Sequence, residues 1–174
     1  AKIYNGSTEG SDDYAITYEP GTLKVTKNTK EIVIEANSAS RAYNGTALTD
    51  SGYTFTPGIL AEGDELVVTV KGERLHYGDS ANKVTSYKVM RGTKEVTDYY
   101  TFGTSKDGKL TITKAPLTIK AGSAEREYNG KALTEHSYSI TAGKLFGNDQ
   151  IDDDSIKYDG SRLDVGDCKN NASG

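Results

Sequence analysis

Residues 36–49 read ANSASRAYNGTALT, and residues 121–134 read AGSAEREYNGKALT. The two stretches agree at ten of fourteen positions across an offset of 85 residues. A self-match of this size governs the whole reading of a chain, because a repeated unit folds as a repeated structure. It extends outward: Tyr53 meets Tyr138, Leu60 meets Leu145 and Asp64 meets Asp149. Three extra residues then enter the second copy, after which Gly72, Arg74 and Leu75 meet Gly160, Arg162 and Leu163, and Gly78-Asp79 meets Gly166-Asp167.

The closing part of the unit also occurs twice, once at the front of the chain. Lys2, Gly6, Glu9, Asp12 and Tyr14 match Lys88, Gly92, Glu95, Asp98 and Tyr100, and GTLKVTK at 21–27 matches GKLTITK at 108–114. The chain therefore carries the repeat in permuted phase. Residues 1–26 are the closing strands of a unit whose start is absent, 27–114 are a complete unit, and 115–174 are a second unit lacking its closing strands. Ile3, Tyr14, Ile16, Leu23 and Val25 are the apolar set of the front segment. They are expected to complete residues 115–174, in a neighbouring molecule, with folding back within one chain as the alternative, since an unfilled sheet edge is a pairing template.

Within one unit the periodicity is that of strands. Apolar and polar residues alternate over 15–18, 23–26, 66–70, 87–89 and 110–113, with β-branched and aromatic types prominent. Asn44-Gly45, Asn129-Gly130, Asp107-Gly108 and Pro20-Gly21 read as turns between them. Hydrophobic residues make up 34% of the 174, with 12 Tyr, 19 Gly and no Trp, which suits thin cores with many turns. The expected class is all-β, built as tandem small antiparallel β-sandwich, Ig-like, repeats. Pro116 suits an extended junction between them.

The phrases YNG-x-ALT, a following L-x-x-G/N-D and a closing G-T/K-L-x-V/I-T-K resemble the MBG or YDG repeats, short Ig-like units strung along bacterial cell-surface adhesins. The resemblance covers nearly the whole chain. It implies an extracellular, cell-wall-associated setting and a small β-sandwich, and it carries no shared catalytic set onto these residues.

Candidate chemical sites are few. The net charge of −4 is spread through the chain, so no basic stripe faces nucleic acid or an anionic membrane. No apolar run is long enough to span a bilayer. His76 and His136 align with Asp164 and Ser51, and Cys168, the one cysteine, aligns with Ser80. None belongs to the common framework, so each reads as an exposed strand or loop residue rather than part of a triad, and no enzyme is expected. Asp149, Asp152, Asp153 and Asp154 are the one run with metal-ligand chemistry, a calcium candidate weighed against a solvated acidic loop. Their spacing fits no EF-hand, the loop reading is preferred, and no other cofactor is implied. Tyr43-Asn44-Gly45 and Tyr128-Asn129-Gly130 recur in both copies and read as structural motifs, the tyrosines packing between sheets or across a corner.

The function expected is that of a structural stalk or adhesion repeat, whose partners are neighbouring repeats and further copies of itself by head-to-tail strand donation. The alternative is a binding module for host glycan or protein, resting on tyrosines outside the shared set such as Tyr4, Tyr18 and Tyr77.

Overall fold

A computed structural model describes all 174 residues. The chain is all-β, with three single 3-10 turns and no α-helix. At the front, β1 (Tyr4–Asn5) and β2 (Thr8–Glu9) form a small hairpin, followed by a 3-10 turn at Ser11–Asp13 and an unpaired stretch up to residue 29. Then come β3 (Glu31–Ile32), β4 (Ile34–Ala36), β5 (Ala39–Ala42), β6 (Tyr53–Phe55), β7 (Asp64–Lys71) and β8 (Gly78–Arg91). β9 (Lys94–Glu95), β10 (Thr101–Phe102) and β11 (Gly108–Thr113) close the first copy. The second copy holds β12 (Thr118–Ala121), β13 (Tyr138–Ala142), β14 (Lys157–Tyr158) and β15 (Ala172–Ser173).

The largest sheet runs β5-β11-β8-β7, with β9 added on β8. β8 reaches both halves of the first copy: Gly78–Asn82 pairs with β11, and residues 83–91 pair with β7. β4 pairs with β6 and β3 with β10 in separate two-stranded ladders. The sequence reading of a purely antiparallel fold needs correction. β11 runs parallel to β5, and β10 runs parallel to β3. Each parallel pair joins the two ends of one unit, so many residues lie between the partners, as a parallel connection demands.

All twelve buried residues lie between Ile32 and Ile112. Ile32, Ile34, Leu66, Val89, Val96 and Tyr100 form one cluster. Leu110 and Ile112 are sealed at 0% exposure by the alternation of β11, whose inward positions are Gly108, Leu110 and Ile112. Gly108 opens no hairpin turn, contrary to the reading of Asp107-Gly108. It starts β11, and a Cβ there would stand 2.1 Å from the Asn37 carbonyl oxygen. The glycine is required by close backbone approach.

Asn82 is the one fully buried polar side chain of this core. Its Nδ2 donates to the Asn37 and Asp50 carbonyls, each at 2.9 Å, which ties two loops to the middle of β8. The sequence strands at 66–70, 87–89 and 110–113 lie in β7, β8 and β11, whereas 15–18 and 23–26 form no strand. A strand pattern becomes a sheet only beside a partner, and residues 15–26 have none here.

The front segment nevertheless repeats the local structure of the first copy. Tyr4↔Glu9 and Asn5↔Thr8 reproduce Met90↔Glu95 and Arg91↔Lys94, with Gly6 at φ 63° where Gly92 has φ 58°. Ile3 N–H donates to Ser11 Oγ, as Val89 N–H donates to Thr97 Oγ1. The 3-10 turn at Ser11–Asp13 reproduces the one at Thr97–Tyr99. Local sequence sets these shapes without the core beneath them, so Tyr14 is 60% exposed where Tyr100 is 4%.

Candidate functional site

The second copy rebuilds part of the first copy's frame residue by residue. Ile119↔Ile140 and Ala121↔Tyr138 in β12–β13 match Ile34↔Phe55 and Ala36↔Tyr53 in β4–β6. The bridge Leu133↔Arg162 matches Leu48↔Arg74. Arg162 curls back so that its guanidinium donates to the carbonyls of Asp164 and Val165, as Arg74 does to those of His76 and Tyr77. Each arginine lies where a Cβ on Gly166 or Gly78 would stand, and both glycines hold positive φ. Asn170 Nδ2 donates to the Gly122 and Glu135 carbonyls at 3.0 and 2.9 Å, the counterparts of the two Asn82 bonds.

The strands that close the first copy, β9 to β11 and the far half of β8, have no counterpart paired with this frame. In the first copy β11 lies between β5 and the start of β8. In the second, the corresponding residues 124–127 carry no strand partner, and they face residues 166–170 across a cleft of about 320 Å3. Ala121, Ala124, Arg126, Leu133, Cys168 and Asn170 line it. The apolar residues around it stay half-exposed: Ile119 at 37% and Ile140 at 39%, against 1% for Ile34. Backbone donors and acceptors without partners thus lie beside partly exposed apolar side chains, as at an open sheet edge. No strand pairing and no hydrogen bond joins residues 1–27 to residues 115–174.

A second constellation sits where the two copies meet. The Tyr43 ring meets Phe146 edge-on at 5.8 Å and stacks on His76 at 6.3 Å. The Asp149 carboxylate facing the Tyr43 hydroxyl raises its pKa, with desolvation adding to the shift. Gly45, at φ +78°, has the Phe146 Cβ 2.9 Å from where its own Cβ would be, so the Asn44-Gly45 turn presses against the second copy's loop. Asn44 Oδ1 holds that turn by accepting from Thr46 N–H, and Asn129 Oδ1 does the same from Lys131 N–H. Tyr43 therefore packs between copies and not between sheets of one copy. Tyr128, with Asn129 and Gly130, is 66% exposed and meets no equivalent loop. The two tyrosines occupy unlike environments, a departure from the sequence reading.

The acidic run is not gathered into a ligand set. Asp149 faces Tyr43, Asp153 accepts from the Tyr138 hydroxyl at 2.6 Å, and Asp152 caps the 3-10 turn Asp153–Ser155 by accepting from Asp154 N–H. No group of three or more His, Cys, Asp or Glu side chains converges in the chain. His136 stacks on Tyr158 at 5.4 Å, and Cys168 is exposed with its thiol 3.6 Å from the Ser161 carbonyl.

Sequence reading missed the network that pins the end of the first copy. Arg91 reaches Asp64 through Nε at 2.5 Å and Nη2 at 2.9 Å, and the Asp64 side chain is wholly shielded from solvent. The Tyr100 hydroxyl donates to Asp64 at 2.5 Å and accepts from Ala61 N–H at 2.9 Å. The Arg91 bonds, and then the Tyr100 bond, hold the Asp64 carboxyl below the usual carboxylate range. Asp64 and Tyr100 both have partners in the repeat alignment, Asp149 and Tyr14, which was the available signal.

No family model, curated protein or solved structure matches the chain.

Proposed function

We propose that the chain is a non-enzymatic stalk or adhesion repeat of a bacterial surface protein, of the MBG/YDG kind, working outside the cell at the wall. In this reading each copy is a small Ig-like sandwich unit: residues 27–114 are one unit, residues 115–174 repeat its front part, and residues 1–26 repeat its closing part. The observation that carries it is the shared frame. Asn82 and Asn170 hold the same loops through the same bonds, and the copies are stitched by Tyr43, His76 and Phe146. Units that build alike and dock end to end suit a spacer, whose stability is a sum of unit and interface contributions.

The second reading is a binding module for host glycan or protein. Exposed Tyr4, Tyr18 and Tyr77, at 56, 69 and 62%, favour it, since wet tyrosine rings stack on sugars. A glycan-array and mucin-binding assay on the isolated chain separates the two. The spacer reading expects silence, and saturable binding lost on Tyr18→Ala or Tyr77→Ala replaces it with the module reading.

A further inference from the structure

We propose that the open side of β7 is a homotypic docking edge, on which β7 of a second molecule of this chain pairs antiparallel about a two-fold axis at Val68. β7 is the outermost strand of the largest sheet, eight residues long, and its outer side carries no strand. The edge lies in the interior of the first copy. The strands on either side of it in sequence, β3 to β6 and β8 to β11, are all in place, and none pairs with it there.

The bonds of β8 show which backbone groups of β7 face outward. Val89 N–H donates to Thr97 Oγ1 and the Val89 carbonyl accepts from Val96 N–H, so both point away from β7. Leu66, opposite Val89, therefore points its own backbone groups away from β8, and its carbonyl accepts there from the Tyr53 hydroxyl. Strand alternation gives Val68 and Val70 the same direction. Thr69 agrees with it, because its carbonyl faces β8 and accepts from Thr85 Oγ1. The outward groups are spaced for a ladder centred on Val68, with Leu66 of one molecule opposite Val70 of the other. The Leu66 carbonyl keeps a second lone pair beside its bond to Tyr53.

The side chains select the same register. On the exposed face it sets Glu65 opposite Lys71 and Val67 opposite Thr69, each twice by symmetry. These positions lie between the ladder bonds, where side chains approach closest. Neither Glu65 nor Lys71 has an ion-pair partner in its own chain. Within the chain Lys71 stands opposite Lys83, like beside like, and Glu65 stands opposite Met90. A second molecule brings each the opposite charge. A slip of two residues loses both ion pairs, since Glu65 then falls opposite Thr69 or Glu73. The contact is isologous and closes on itself, so it joins two molecules side by side and goes beyond the end-to-end docking of copies in the spacer reading.

Charge reversal tests this. Sedimentation of the whole chain under reducing conditions, over a wide concentration range, is expected to show a monomer–dimer equilibrium. Glu65→Lys and Lys71→Glu should each weaken dimerisation about tenfold, because two cross-strand pairs become like-charged at once. The double variant Glu65→Lys with Lys71→Glu should restore it. Both side chains are exposed, which keeps the reversals away from the core. Val68→Pro removes the central N–H at an edge position that tolerates proline, and should leave monomers. With Cys168 replaced by Ser, a mixture of Val67→Cys and Thr69→Cys chains should oxidise to the mixed dimer in preference to either homodimer.

A chain monomeric at every concentration, dimerisation indifferent to both single reversals, or a double variant as weak as the singles would each overturn the proposal. The spacer reading stands or falls separately, on the glycan-binding assay.

Discussion

Asn82 and Asn170 make the same pair of hydrogen bonds, each Nδ2 donating to two loop carbonyls at 2.9 to 3.0 Å. The two side chains are equivalent in sequence and in structure, and each organises its copy. In the first copy the amide gathers the loop after β4, the loop before β6 and β8 itself, and Asn170 gathers the corresponding loops from a stretch that forms no strand. A Cβ on Gly72 or Gly160 would stand 2.6 or 2.4 Å from the neighbouring Oδ1, so each asparagine also fixes a glycine beside it.

Replacing Asn82 by Ala leaves two carbonyls without their donor inside the first copy. The expected loss is about 1–3 kcal/mol for each acceptor left buried and unpaired. Urea unfolding should show it as a lower midpoint for the cooperative transition of residues 28–113. Asn170→Ala should leave that transition in place, because no residue beyond Ile112 belongs to the buried core.

Acid sensitivity follows from Asp64. Its folded pKa lies below its unfolded value, first because of the Arg91 bonds and then because of Tyr100. The stability it contributes is therefore complete above the unfolded carboxylate value of about 4 and is lost as pH falls through the lower folded value. Thermal melts followed downward from about pH 5 should fall steeply for the native chain and more shallowly for Asp64→Asn, which no longer titrates.

The junction gives a spectroscopic prediction. Asp149 raises the pKa of Tyr43, and Asp153 raises that of Tyr138 through its hydrogen bond. In ultraviolet titration these two hydroxyls should ionise after the exposed tyrosines. Asp149→Asn should return one of them to the common wave and leave the other. If both stay late, Asp149 does not face Tyr43 in solution.

Tyr43 and Phe146 should also be coupled energetically. An edge-on aromatic pair contributes about 0.5–1.5 kcal/mol beyond its buried area. A double-mutant cycle with Tyr43→Leu and Phe146→Leu should recover a coupling of that size between copies. His76→Ala should cost less, since its ring only stacks on an exposed side of the same cluster.

Much of this was legible in the sequence, and the failures have physical causes. The match around Tyr-Asn-Gly located both copies, because a turn needing positive φ at Gly45 and Gly130 admits few alternatives. Alternation in 66–70 and 110–113 gave the inward faces of β7 and β11. Alternation reports which face a residue takes and not the direction of the neighbouring strand, so the parallel pairs were hidden. Gly108 was misread because a turn rule looks at local dihedrals, whereas this glycine answers to the carbonyl of Asn37, far away in sequence. Tyr43 was placed within a copy because recurrence in two copies does not distinguish an internal contact from a contact with the next unit.

The central claim is that the second copy repeats the first copy's frame and that residues 124–127, which carry no strand partner, take a strand of the β11 kind. Hydrogen exchange on the whole chain, with and without a synthetic peptide of the 108–114 sequence GKLTITK, tests it most directly. The expected result is that the peptide slows exchange in residues 119–127 and 160–170 and leaves the already protected 32–112 core unchanged. Unchanged exchange in the second copy at saturating peptide, or slowing confined to the first, would contradict the account.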